Sequence, residues 1–386
     1  PAASEAGAKL SYLYVGNIIG STLGSLLTGL VLLELLSLRN LTTGLVIAGA
    51  SISCALIATG SPRKVPRVPL GVAYALLVVT LIASAPILCD GLYERLLYED
   101  NYYPGRRFAH TVENRSGVVN MSESGTVYGG GSYDGQMNIS PHPDVDDNRV
   151  ARAYAIPAFH PAPREVLMIG LGAGSWLKVL THLDEIEKIT VIEINPGYVE
   201  MMRRTPLVAS AVSHPKLEMI IDDGRRFLNH NDRQFDVIIQ NTIVFWRSHA
   251  SSLLSREYME LTAEHLKPGG IVYLNSTRST AAQRTVATVF PYAMRYQNMM
   301  IAGFEPVSVD RERWRDVLTS WRIDGELMLD GDQDPEAVEL IINQQIWDGG
   351  PTWEGREAIL ARTQNEPVIT DDNMATEWWA WNTYPD

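Results

Sequence analysis

The sequence predicts an α/β protein built on a doubly wound parallel sheet and preceded by three membrane-spanning helices. Three observations predict it. Three uncharged runs fill most of the first ninety residues. Beyond them, short apolar strands alternate with helical stretches, the pattern of a parallel sheet wound by helices. A glycine-rich turn follows the first of those strands, and acids stand at the ends of the next two.

The uncharged runs are Leu10–Leu33, Asn40–Pro62 and Val68–Cys89. Each exceeds the roughly 20 residues that cross a bilayer as a helix. Helices are expected at about 10–36, 40–62 and 68–89. The first run carries Gly16, Gly20, Gly24 and Thr28, a small-residue stripe that lets helix backbones approach closely, with Asn17 as a polar neighbour. The stripe predicts packing against the other two helices or against another subunit. Arg63, Lys64 and Arg67 lie between the second and third runs and argue for a cytoplasmic loop there. Three crossings would then put the rest of the chain outside the cytoplasm, but Arg95, Arg106 and Arg107 argue the other way. The protein is expected to be a multi-pass membrane protein with the side of its soluble part left open. Transport finds no support in three helices without intramembrane charge pairs.

The chain has 386 residues and a formal net charge of −13, carried by the part after the apolar runs. That acidity excludes a nucleic-acid partner, which needs a basic face. Cys54 and Cys89 both sit in the apolar region with no CxxC or nearby His, so neither a disulfide framework nor a metal site is expected. The chain opens on Pro1, and residues 1–8 lack a signal-peptide n-region, so further sequence upstream is expected.

Residues 91–107, with Asp90 just before them, form an acidic, Tyr-rich junction with Tyr93, Tyr98, Tyr102 and Tyr103. It reads either as a membrane-interface belt or as a linker packed on the next region. Residues 108–147 read as a small antiparallel β region, punctuated at Ser116-Gly117, Ser124-Gly125, Gly129-Gly130-Gly131 and Asp134-Gly135. Arg149 to Phe159 reads as a helix.

The nucleotide-binding domain is expected over 148–330, with a C-terminal extension over 331–386. Val166-Leu167-Met168-Ile169 is a strand buried on both faces. Gly170-Leu171-Gly172-Ala173-Gly174 then turns the chain into a helix, and such a turn lets backbone approach a ligand. Glu193 ends the second strand, about twenty positions beyond the glycines, where an acid suits ribose hydroxyls. Asp222-Asp223-Gly224 ends the third, where an acid can accept from an adenine amino group. The competing reading is that Glu193 and Asp223 only cap helices. The fourth strand, Phe235–Ile239, is ended by Gln240-Asn241-Thr242, and Lys267-Pro268-Gly269-Gly270 turns into a fifth, Ile271–Leu274.

These segments resemble spermidine synthases. The resemblance lies in Val166–Gly174, Glu193-Ile194-Asn195-Pro196, Asp222–Leu228, Phe235–Ile239 and Leu266–Gly270. It extends from about Tyr12 to Thr280. It includes the bacterial group in which a transporter-like membrane domain is fused to the synthase-like domain, and Thr370-Asp371-Asp372 is similar to that group. The resemblance implies a class I methyltransferase-like (Rossmann-like) fold behind a small N-terminal β-sheet. It implies an S-adenosylmethionine or decarboxylated S-adenosylmethionine site. Gly170, Gly172 and Gly174 would line the thioether side, Glu193 would bind ribose, and Asp223 with Gly224 would sit by the adenine.

The departures fall on the acceptor side. Ala173 stands where that family carries Asp, and Asn241 stands where it carries the catalytic Asp. A second acid is missing, since Thr242-Ile243-Val244-Phe245 follows. Aminopropyl transfer needs a base to free the amine, and an amide cannot titrate. Remaining candidates for chemistry are Asn241 itself, Asp134 in the β region and His249 on the loop after the fourth strand, with Arg247 as a binder of anions. The C-terminal tryptophans, Trp314, Trp321, Trp347, Trp353, Trp378, Trp379 and Trp381, read as packing residues, with the last three as a contact surface. Two functions follow: a membrane-anchored transferase-like protein that binds an adenosyl thioether and transfers an aminopropyl or methyl group, or a catalytically retired subunit acting as a scaffold among other membrane subunits.

Overall fold

The structure is a computed structural model, described over residues 3–60, 67–146, 148–241, 250–276, 279–343 and 353–373. The chain divides into two compact units, Pro1–Glu123 with Gly129–Ser132, and Ser124–Tyr128 with Tyr133–Asp386.

The first unit contains three helices long and apolar enough to cross a membrane, within Gly7–Leu35, Leu38–Thr59 and Val68–Leu88. The first is α-helical over Ala3–Leu27 and winds wider as a π-helix over Thr28–Leu32. The second and third pack on each other, and Ser51 shares a 2.5 Å hydrogen bond with Tyr74. The glycine stripe does not meet them: a Cβ at Gly16, Gly20 or Gly24 would find nothing within 4 Å. Of the three charges behind the cytoplasmic-loop argument, Arg63 and Lys64 lie outside the described residues, and Arg67 begins the third helix. In the junction, Arg106 lies 3.5 Å over the Tyr98 ring and Tyr98 packs against Phe108, whereas Tyr103 is exposed. Strands β1 (Phe108–Asn114) and β2 (Gly117–Ser122) pair antiparallel, with Val112 opposite Val119 and both buried. Strands β3 (Thr126–Gly129) and β4 (Ser132–Gln136) follow in the chain, and most of each belongs to the second unit. Asp134-Gly135 lies inside β4 and is not the turn its composition suggests.

The second unit holds the α/β sheet. Its parallel strands are β5 (Glu165–Ile169), β6 (Lys188–Glu193), β7 (Leu217–Ile221), β8 (Phe235–Gln240) and β9 (Leu266–Asn275). A hairpin of β10 (Tyr292–Tyr296) and β11 (Met299–Gly303) is inserted beyond β9. The order is Trp353–Gly355, β10, β11, β9, β8, β5, β6, β7. The sheet is therefore mixed, not wholly parallel. The two-residue Gln297-Asn298 turn forces β11 to run back against β10, and β11 also pairs antiparallel with β9. This is the expected methyltransferase-like arrangement. The fifth strand starts earlier than its sequence implies. Leu266 already pairs with Phe235, and the next match is Ile271 with Val237, so Lys267–Gly270 bulge from the ladder. The expected helix over Arg149–Phe159 is two short pieces, Ala151–Tyr154 and Ile156–Phe159, because Pro157 has no N–H to continue the first. Segments of the 331–386 extension join this core. Trp353–Gly355 pairs with β10, and Ile359 and Ile369 are buried in the apolar cluster around Leu167, Ile238 and Leu274. Trp314 and Trp321 are buried, and Trp353 stacks on Tyr296 with ring centres 4.5 Å apart. Trp347, Trp378, Trp379 and Trp381 lie outside the described residues.

Candidate functional site

From β5 the chain winds outward through β6 to β7, then returns to β8 on the other side of β5. Strand order reverses between β5 and β8, and ligands of such sheets bind in the crevice beyond those carboxyl ends. Ile169 is in register with Gln240, so Gly170 and Asn241 flank the crevice.

The glycine turn is built by backbone need. Gly170, Gly172 and Gly174 have φ of +84°, +55° and +77°, a region L side chains rarely adopt. Gly174 has a second constraint, because a Cβ there would sit 2.4 Å from the Met202 sulfur. Gly174 starts the Ser175–Thr181 helix, and the Ser175 hydroxyl donates to the Gln136 carbonyl at 2.9 Å while accepting the Asn138 amide at 3.1 Å. β4 thus lies against the turn: a Cβ at Gly172 would be 3.1 Å from the Asp134 carbonyl oxygen.

Glu193 is buried, 4% exposed, and both its oxygens are engaged. Oε2 accepts the Leu171 amide and Oε1 the Asn195 amide, each at 2.8 Å. Burial pushes its carboxyl up to about 7, helped by the nearby Asp134 charge and opposed by the backbone donors. With the Ile194 amide also contributing, the carboxyl still keeps acceptor capacity for a ligand hydroxyl. Asp134 accepts a hydrogen bond from the Tyr198 hydroxyl, on the Pro196–Arg204 helix that follows β6. The structure thus brings Gly170, Gly172, Gly174, Glu193 and Asp134 together. Asn195 caps the Pro196–Arg204 helix through the Gly197 amide at 2.9 Å, and its Asn-Pro pair is the sequence signal that marks it. Nothing in the sequence marked Tyr198.

Asp223 stands at the end of β7 and caps the Gly224–Asn229 helix, accepting the Arg226 amide at 2.8 Å. Asp223 thus caps a helix through its Oδ1. Gly224 is fixed by packing, since a Cβ would meet Ile169 Cγ2 at 2.5 Å. Behind this helix the Arg225 guanidinium grips Asp371 with two hydrogen bonds of 2.7 and 2.5 Å, which gives Thr370-Asp371-Asp372 a structural role.

Asn241, across the crevice, is half-buried, and its Oδ1 accepts from Asn275 Nδ2 at 2.9 Å. His249 and Arg247 lie outside the described residues. Among the described residues no group of three or more His, Cys, Asp or Glu is placed to hold a metal ion.

Residues 155–301 match the profile of the spermine/spermidine synthase domain. This part of the chain is a spermidine synthase-like domain. Spermidine synthase of Dictyostelium discoideum is 37% identical over 119 residues, 30% of this chain and 42% of the relative. Polyamine aminopropyltransferase of Desulforudis audaxviator is 31% identical over 146 residues, 36% of this chain and 52% of the relative. The chain spans about half the length of the curated relatives it matches. A crystal structure of spermidine synthase with the transition-state analogue AdoDATO aligns with TM-score 0.48 and 18% identity, covering 62% of this chain and 89% of that one. The Thermotoga maritima spermidine synthase aligns with TM-score 0.45 and 18% identity, covering 61% and 88%. Within the spermidine synthase-like domain, the β5 end carries the glycine turn, the β6 end the acid, and the β8 end, among the described residues, the two amides Gln240 and Asn241.

Proposed function

We propose that this chain is a membrane-anchored, spermidine synthase-like protein that binds an adenosyl thioether, S-adenosylmethionine or its decarboxylated form, at the ends of β5, β6 and β7. The observation that carries this reading is Glu193, a buried acid tied to the glycine turn through Leu171 and retaining acceptor capacity for ribose hydroxyls. Gly170, Gly172 and Gly174 would line the thioether side, with Asp223 near the adenine. The three apolar helices would anchor the chain in the bilayer. Calorimetric titration of the detergent-solubilised protein with methylthioadenosine tests the ligand. Micromolar binding that Glu193→Ala abolishes supports it, and absence of heat at millimolar ligand refutes it. Retention in carbonate-washed membranes, lost on deleting residues 1–89, tests the anchor.

Asn241 favours a second reading, a catalytically retired subunit held as a scaffold by membrane partners. An amide supplies neither the base nor the anionic charge that a polyamine needs. Aminopropyl or methyl transfer by the purified lone protein would exclude it.

A further inference from the structure

The acceptor side of the crevice is wired by a chain of three amides that starts at a buried guanidinium. Arg152 is 6% exposed. Its Nε donates to the Arg149 carbonyl at 2.9 Å and its Nη2 to the Asn148 carbonyl at 3.0 Å. Its Nη1 donates to Asn298 Oδ1 at 2.9 Å. Asn298 Nδ2 donates to Asn275 Oδ1, and Asn275 Nδ2 donates to Asn241 Oδ1, both at 2.9 Å. The Asn298 carbonyl is itself held by Ser276, through its amide and hydroxyl, each at 2.8 Å.

This chain has only one polarity. A guanidinium carries donors and no acceptor, so Asn298 must turn its oxygen to Arg152. Its nitrogen must then face Asn275, the Asn275 nitrogen must face Asn241, and Asn241 is left to present Nδ2. The crevice therefore offers a hydrogen-bond donor at the position beside Gly170. An ammonium group is also only a donor, and the one acceptor that the Asn241 side chain has, its Oδ1, is turned to Asn275 and already holds one hydrogen bond.

We propose that the acceptor side of this site recognises an oxygen atom with a free lone pair, as in a hydroxyl, carbonyl or carboxylate group, and not an ammonium group. Arg152, Asn298 and Asn275 are positioning residues that set the direction in which Asn241 binds. The proposal rests on the reading of the opposite side of the crevice as a thioether site, but its test is read separately.

The full-length protein, labelled with 15N at asparagine and saturated with methylthioadenosine in detergent, is titrated with butane-1,4-diol and with butane-1,4-diamine. High salt suppresses general attraction of the diamine to an acidic chain. The Asn241 side-chain signal should respond to the diol at a concentration at least tenfold lower than to the diamine. Asn298→Asp replaces the donor facing Asn275 by an acceptor, so Asn275 and Asn241 both rotate and Asn241 presents Oδ1. That variant should reverse the order of the two ligands. If it fails to fold, Asn275→Asp makes the same inversion one link later and leaves Asn298 against Arg152. Preference for the diamine in the unmodified protein, an unchanged order in a folded variant, or no response to either ligand overturns the proposal. The Asn195 side-chain signal reports methylthioadenosine independently, so a silent Asn195 counts against the thioether site and not against the polarity of Asn241.

Discussion

The Leu171 amide donates to Glu193 Oε2 at 2.8 Å, which ties the end of β6 to the middle of the glycine turn. The same carboxyl is pushed up to about 7 by burial, so it is half-ionised near neutral pH. A raised carboxyl contributes stability that is present in full below its ordinary range near 4.5 and is lost as pH rises through about 7. The rise corresponds to roughly 3 kcal/mol. Ribose hydroxyls donate best to the ionised form, so methylthioadenosine affinity should run the other way and rise between pH 6 and pH 8. Glu193→Gln should flatten both profiles. Denaturant unfolding and calorimetry across that range check the two signs, and parallel profiles would refute the assignment.

Gly174 combines a positive φ of +77° with a Cβ position 2.4 Å from the Met202 sulfur. Gly174→Ala therefore meets backbone strain and overpacking together, and should cost about 2–4 kcal/mol. Met202 is fully buried, so Met202→Ala alone should cost about 2–5 kcal/mol. In the double variant the methyl fills part of the space that the thioether vacates, so the loss should fall short of the sum by about 1 kcal/mol or more. Denaturant midpoints for the four proteins close that cycle. Strict additivity would mean that the steric contact contributes nothing and that φ alone makes Gly174 necessary.

Regular elements with one physical driver were legible in the sequence. β5, β6 and β7 are short, mostly apolar runs, with Thr190 in β6 and Glu218 in β7, each ended by a turn or an acid, and their bounds follow the composition closely. The three apolar helices are legible for the same reason, since length and lack of charge suffice. What escaped depends on pairs distant in sequence. Nothing local announces that Trp353–Gly355 adds to β10, or that Arg295 meets Glu354 at 2.8 Å inside the protein. The direction of β11 follows from a two-residue turn rather than from its own composition. In the site, Glu193 and the glycines follow a spacing rule, whereas Tyr198 on Asp134 and Asn275 on Asn241 are set by tertiary packing. Asp223 shows the converse limit, because the same residue type at a strand end also suits a helix cap.

Lys178 has a fully buried ammonium group that donates to both oxygens of Asp324, at 2.8 and 2.6 Å, and to the Ser210 hydroxyl at 2.5 Å. Asp324 itself is mostly exposed, so its carboxylate keeps part of its hydration. Removing the carboxylate strands the charge in an apolar setting, and Asp324→Ala should destabilise by about 2–4 kcal/mol. The damage should exceed that of Lys178→Met, which removes the charge and leaves an aspartate that water still reaches. Thermal unfolding of both variants at neutral pH gives the comparison. A smaller loss for Asp324→Ala would mean that Ser210 and water satisfy the ammonium without it.

Asp371 organises three partners at once. It takes both Arg225 hydrogen bonds, it accepts the Ser255 hydroxyl at 2.7 Å, and its amide donates to Glu257 at 3.0 Å. Ser255 caps the Arg256–Glu264 helix through the Tyr258 amide, so the carboxylate of Asp371 fixes the rotor of a helix cap. The Arg225 hydrogen bonds hold the Asp371 carboxyl below its ordinary value. A lowered carboxyl contributes stability that is in place above its ordinary range and is lost as pH falls through the folded value. Asp371→Asn should therefore cost about 0.5–1 kcal/mol at pH 7, since the pair is partly exposed, and should cost progressively less as pH falls below 4. Hydrogen exchange should quicken at Tyr258, whose amide bonds the Ser255 cap, and at Arg256, whose amide donates to the Ile369 carbonyl at 2.8 Å. Exchange unchanged at both amides would show that the apolar burial of Ile359 and Ile369 alone docks this segment, with Asp371 a bystander to its anchoring.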